Sequence, residues 1–175
     1  MESLRLPDGR SLDYIVSGPA DGLPFVFHHG TPGAATPMRA LEQAVHARGM
    51  RYVCASRAGY GGSDRLAGRA VVDVVADTSE LLAALGAQEC VVAGHSGGGP
   101  HALACAARLP GVRAALVIAG VGPSGARDLA FLEGMGEENL VEFGAAAEGE
   151  DVLRRYLDAE RPALVHATAA EIVAS

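Results

Sequence analysis

The sequence predicts an α/β fold: a mostly parallel sheet with an N-terminal antiparallel hairpin, helices on both faces, and a helical segment after it. Three observations carry this prediction. Four apolar runs of strand length are each followed by a stretch of helical character, and parallel strands need a crossover that a helix usually supplies. Two short extended segments at the start are joined by Pro7-Asp8-Gly9-Arg10, and Asp-Gly between such segments is a strong hairpin signal. After Pro123 no strand pattern is evident, only short helical stretches interrupted by glycine.

In chain order, residues 2–6 and 11–16 are the two arms of the hairpin. Residues 24–28 are an apolar run of the kind expected for a strand buried on both faces. It ends in His29-Gly30-Thr31-Pro32-Gly33, whose glycines and prolines forbid regular structure. A helix follows, with Thr36 or a neighbour as its cap, Met38, Leu41, Val45 and Met50 near one face, and Gly49 closing it. Residues 51–55 are the next strand, and the glycine-rich loop from Ser56 to Asp64 comes after it. Residues 71–85 read as a helix ended by Gly86. Val91-Val92-Ala93 then runs into Gly94-His95-Ser96-Gly97-Gly98, followed by a helix to about Leu109, and residues 112–119 are the last clear strand. Residues 127–135, 138–147, 152–157 and 163–174 are expected as short helices. The chain thus divides into a core, 1–123, and a helical segment, 124–175.

Composition narrows the classes of function. Of 175 residues 49% are hydrophobic and 20% charged, a globular profile. A net charge of −7 argues against non-specific binding to nucleic acid or an anionic membrane. All the basic side chains are Arg. No run approaches the ~18 apolar residues of a membrane span, and the polar start of the chain predicts no signal peptide. Cys54, Cys90 and Cys105 sit in or beside apolar segments at no metal-ligand spacing, so buried free thiols in a cytoplasmic protein are expected, with no metal and no cofactor.

Gly-x-Ser-x-Gly between a buried strand and a helix is a nucleophile elbow: the turn is so tight that glycines flank it, and the serine hydroxyl is pushed out over the sheet edge. The alternative for Ser96 is a helix-capping serine after a glycine-rich turn. A serine needs a base to act as a nucleophile, so the elbow raises the question of which histidine serves it.

The chain strongly resembles the α/β-hydrolase superfamily. Three motifs stand in that superfamily's order after three consecutive strands: His29-Gly30-Thr31-Pro32-Gly33, Arg57-Ala58-Gly59-Tyr60-Gly61-Gly62-Ser63 and Gly94-His95-Ser96-Gly97-Gly98. The resemblance covers residues 2–123, and residues 124–175 look like the start of a cap. It implies a serine hydrolase acting on an ester, amide or related carbonyl of a small-molecule substrate. Ser96 would be the nucleophile, and the backbone N–H groups of Thr31 and Gly97 would form the oxyanion hole. Two donors aimed at one oxygen suit a loop beside a helix N-terminus, and losing one typically costs about 3 kcal/mol of transition-state stabilisation. His29, Gly30 and His95 are read as loop support and packing, His28 as packed against a helix, and Arg57 and Asp64 as bracing their loop through an ion pair or backbone contacts. The His-Gly-Thr-Pro-Gly loop is similar to that of proline iminopeptidases. The serine excludes the branches with an Asp nucleophile, most epoxide hydrolases and haloalkane dehalogenases.

The family order is Ser, then an acid, then His. Only His101 and His166 follow Ser96. His101 is about 140° around the helix from the serine, out of easy reach. His166, brought over Ser96 by the cap with Asp128 or Asp158 to orient it, is a further candidate. Acid and His are otherwise unknown, and the expectation is a fragment that lacks them. Strand 114–119 would then be an uncovered apolar edge, and such edges pair with other chains. The chain is therefore expected to belong to a longer polypeptide, or to have a second copy or partner chain on that edge. A non-catalytic binding or dimerisation module is the alternative function.

Overall fold

The computed structural model describes residues 1–166. Six strands form one sheet: β1 (Glu2–Arg5), β2 (Ser11–Ser17), β3 (Pro24–His28), β4 (Arg51–Ala55), β5 (Cys90–His95) and β6 (Val112–Ile118). Their spatial order is β1-β2-β4-β3-β5-β6. β1 pairs antiparallel with β2 and β2 antiparallel with β4, while β4, β3, β5 and β6 run parallel. The hairpin turns at Gly9, whose φ of 89° lies in the left-handed region, and Asp8 accepts the Arg10 backbone N–H at 3.0 Å.

Register explains the two-sided core. Val26 stands opposite both Val53 and Val92, so these three share one face. They pack with Leu12, Leu81, Ala102 and Cys105, the last three contributed by α2 (Val74–Ala84) and α3 (Gly99–Arg108). Phe25, Phe27, Tyr52, Cys54 and Ala93 alternate to the other face and meet Val45 of α1 (Arg39–His46). Strands covered on both sides lose their polar face, which is why β3 to β5 read as continuous apolar runs.

Several local expectations need correction. Thr36 does not cap α1: the helix begins after Met38, whose backbone N–H donates instead to Glu42 Oε1 at 3.2 Å. Residues 71–73 form a single 3₁₀ turn before α2. Residues 127–135 are turns rather than a helix. Fewer than ten residues bounded by Gly125 and Gly134 hold no helix without an apolar face to bury. The predicted stretches 138–147 and 152–157 belong to longer helices, α4 (Glu137–Glu148) and α5 (Glu150–His166). α5 continues through Pro162 as far as His166, and the rest of the predicted helix 163–174 lies outside the described residues. The chain forms two compact units, Met1–Gly122 and Pro123–Ser175.

Candidate active site

Ser96 stands where β5 meets the 3₁₀ turn Ser96–Gly98 that leads into α3. Its φ is 50°, a left-handed conformation that a residue with a Cβ adopts at a cost of order 1–3 kcal/mol. The surrounding glycines show what forces the turn. A Cβ on Gly98 would lie 2.6 Å from the His29 carbonyl oxygen, and one on Gly94 would lie 2.9 Å from the Gly99 nitrogen. The first turn of α3 is thus pressed against the ends of β3 and β5, with no room for side chains.

That closeness brings the β3 loop to the serine. A Cβ on Gly30 would stand 3.6 Å from Ser96 Cβ and 3.4 Å from His95 Nδ1. A Cβ on Gly97 would stand 2.7 Å from Thr31 Oγ1 and 3.4 Å from the Thr31 nitrogen. Gly30, Thr31, Ser96 and Gly97 are therefore neighbours. His95 is exposed beside Gly30 rather than packed in the core.

His29 is buried and both its ring nitrogens are engaged: Nε2 accepts the Arg57 backbone N–H at 3.1 Å, and Nδ1 lies 2.8 Å from the Gly30 carbonyl. A nitrogen that accepts from a backbone N–H carries no proton, so the network selects the neutral ring protonated at Nδ1. Burial, with the Arg57 charge adding to it, pushes the pKa down to about 4. His29 thus ties the end of β3 to the loop after β4. His101 is similar. Its Nδ1 lies 2.9 Å from the Gly97 carbonyl, Arg69 Nη1 is 3.4 Å from Nε2, and burial followed by Arg57 lowers its pKa to about 4. His28 is buried on the α3 side, stacked on His101 and 3.6 Å from Cys105 Sγ, with a pKa near 3 for want of solvent.

Arg57 and Asp64 form no ion pair with each other among the described residues. Asp64 Oδ2 accepts the Ser11 backbone N–H at 2.8 Å. Arg57 instead reaches across to the β3 loop, donating to the carbonyls of His29 and Gly30 and to Thr31 Oγ1. The sequence flagged this arginine as a brace but not its target; an arginine within a glycine-rich loop was the available signal. Asp128, in a turn, and His166, the last residue of α5, are exposed and belong to the second unit, whereas Ser96 belongs to the first. His166 has no hydrogen-bonded carboxylate among the described residues. The described residues hold no cluster of His, Cys, Asp or Glu that could bind a metal.

A family model described as alpha/beta hydrolase fold matches residues 24–146. A non-heme chloroperoxidase from Streptomyces lividans is 34% identical over 149 residues, covering 83% of this chain and 54% of the relative. An alpha/beta hydrolase fold protein from Nakamurella multipartita superposes with a TM-score of 0.62 at 25% identity, over 92% of this chain and 52% of that one. A structure from a study of carboxylesterases of Nitrososphaera gargenis gives 0.64 at 23% identity, over 89% and 57%. The chain spans about half the length of these relatives. Motif order, sheet topology and family match agree: the chain belongs to the alpha/beta hydrolase fold family.

Proposed function

We propose that Ser96 is the nucleophile of a hydrolase acting by acyl transfer on an ester, amide or related carbonyl of a small molecule. The observation that carries this reading is the left-handed Ser96 at the strand–helix junction with Gly30 and Thr31 against it. Backbone strain of this kind persists where the surroundings over-determine it, and functional sites are where it concentrates. Ser96 Oγ would attack the carbonyl carbon and give up its proton to a base. The resulting oxyanion would take hydrogen bonds from the Thr31 and Gly97 N–H groups. Its collapse would break the bond to the alcohol or amine, which leaves with the proton held by the base, and water would then release the acyl group as the acid and restore the Ser96 hydroxyl.

The base is not one of the buried histidines of the first unit: burial holds His28, His29 and His101 at pKa values near 3, 4 and 4, so each takes up a proton poorly, and both ring nitrogens of His29 and His101 are hydrogen-bonded elsewhere. We place the acid and histidine outside residues 1–166, on chain that covers β6, whether a continuation of this polypeptide or a partner. β6 supports that reading: Leu116, Val117 and Ile118 are 46, 37 and 43% exposed on an edge strand. The three buried free thiols are consistent with a cytoplasmic home, and no described helix is long and apolar enough to cross a membrane.

A panel of p-nitrophenyl esters of increasing acyl length tests the proposal. Turnover lost in S96A supports it, and equal turnover by S96A overturns it. Because the Streptomyces relative is named a chloroperoxidase, peroxide with chloride belongs in the same panel. A non-catalytic binding module is the second reading, favoured by the lack of a base hydrogen-bonded to Ser96 among the described residues.

A further inference from the structure

We propose that Arg57 is the positioning residue of the oxyanion loop, its guanidinium clasping the loop so that the Thr31 N–H faces the reacting oxygen; this rests on the reading of Ser96 as nucleophile. Arg57 follows β4 by two residues, and β4 is the neighbour of β3, whose end carries His29-Gly30-Thr31. Three consecutive residues are held by one side chain. Nη1 donates to the His29 carbonyl, and Nη2 donates to the Gly30 carbonyl at 3.0 Å and to Thr31 Oγ1 at 3.1 Å. The Arg57 backbone N–H holds the His29 ring from the other side at 3.1 Å. The peptide N–H of Thr31 belongs to the same plane as the Gly30 carbonyl, so a bond that orients that carbonyl orients the N–H as well.

The clasp is unusual in its cost. Arg57 is 3% exposed, and among the described residues none of its hydrogen bonds goes to a carboxylate. Its Nε has no partner among the described residues. An uncompensated buried cation is destabilising unless neighbouring dipoles solvate it. Here the carbonyls of the loop and the face of Tyr60, 5.3 Å from the guanidinium carbon, do so. The planar fork explains the choice of residue, since it meets three acceptors at once where an ammonium offers no fixed geometry.

The test compares R57K, R57Q and T31V with the wild-type chain. Fluorophosphonate labelling of Ser96 is timed, thermal melting is recorded, and the backbone amides of Gly30, Thr31 and Gly97 are followed by NMR. R57K and R57Q are expected to label about 100-fold more slowly, the effect of a reacting group displaced by about 1 Å. Their Gly30 and Thr31 amide resonances should move, while T31V, which removes only the hydroxyl contact, should slow labelling a few-fold. Labelling of folded R57K and R57Q within two-fold of wild type, with those resonances unmoved, would overturn the proposal. A wild-type chain that takes no label refutes the nucleophile reading instead. The clasp then stands or falls on the amide shifts alone. If both Arg57 variants fail to fold, T31V decides it: labelling of folded T31V at the wild-type rate sinks the proposal.

Discussion

β5 and β6 are adjacent strands of one sheet with opposite surroundings. β5 is buried at Cys90, Val92, Ala93 and Gly94, between α1 on one face and α2 and α3 on the other. β6 has a similar composition, yet every residue from Arg113 to Ile118 is exposed. An apolar run on a strand predicts cover, and the described chain supplies that cover to β5 and withholds it from β6. The same boundary separates what the site has from what it lacks. Serine, loop and helix terminus stand on the covered side, and no acid–base pair stands beside them among the described residues.

The largest effect should come from the tight junction on the covered side. Gly98→Ala would drive a Cβ against the His28 and His29 carbonyls, and a loss of about 3 kcal/mol or more in urea unfolding, or failure to fold, is expected. Next come matched truncations on the two strands. Val92→Ala, at a fully buried site, should cost about 1–3 kcal/mol. Val117→Ala should cost under about 0.5 kcal/mol in this chain. A large cost at Val117 would show that something already covers β6, and size-exclusion chromatography of Val117→Lys would reveal whether that cover is a second copy.

A pH titration sharpens the comparison from the covered side. His28, His29 and His101 are held neutral by burial, with pKa values near 3, 4 and 4 against an ordinary value of 6.5. The unfolded chain therefore takes up these protons first. Stability should be complete above about pH 6.5 and fall as the pH drops towards 4, each histidine contributing up to about 1.4 kcal/mol per pH unit. A urea midpoint flat across that window would contradict the assignment. The smallest effect is expected at the exposed Arg113–Glu89 pair beside β6, where Arg113→Ala should change stability by no more than about 0.5 kcal/mol.

Legibility in the sequence divides along the same line. The hairpin at Asp8-Gly9, the strands β3 to β5 and the elbow at Ser96 are legible because local turn chemistry and two-sided burial leave period and punctuation in the chain. The antiparallel pairing of β2 with β4 is not, since sheet order is set by long-range contacts that no local pattern encodes. The absence of a helix at 127–135 escapes a reading of the sequence because helical composition there does not reveal whether packing supports it, and the passage of α5 through Pro162 does so because a proline ordinarily ends a helix. Ser96 is marked by motif spacing, and Thr31 and Gly97 by the family resemblance that the motifs carry. The reach of Arg57 from the β4 loop to the β3 loop depends on β4 and β3 being neighbours, and so becomes visible only with the sheet order.

The most direct measurement is the intact mass of the folded chain after incubation with a fluorophosphonate, with peptide mapping and an S96A control. A single adduct is expected, located on Ser96 and absent from S96A, forming slowly because no base is hydrogen-bonded to Ser96 among the described residues. A folded protein that gains no mass, or gains it equally in S96A, would contradict the assignment of Ser96 as the nucleophile.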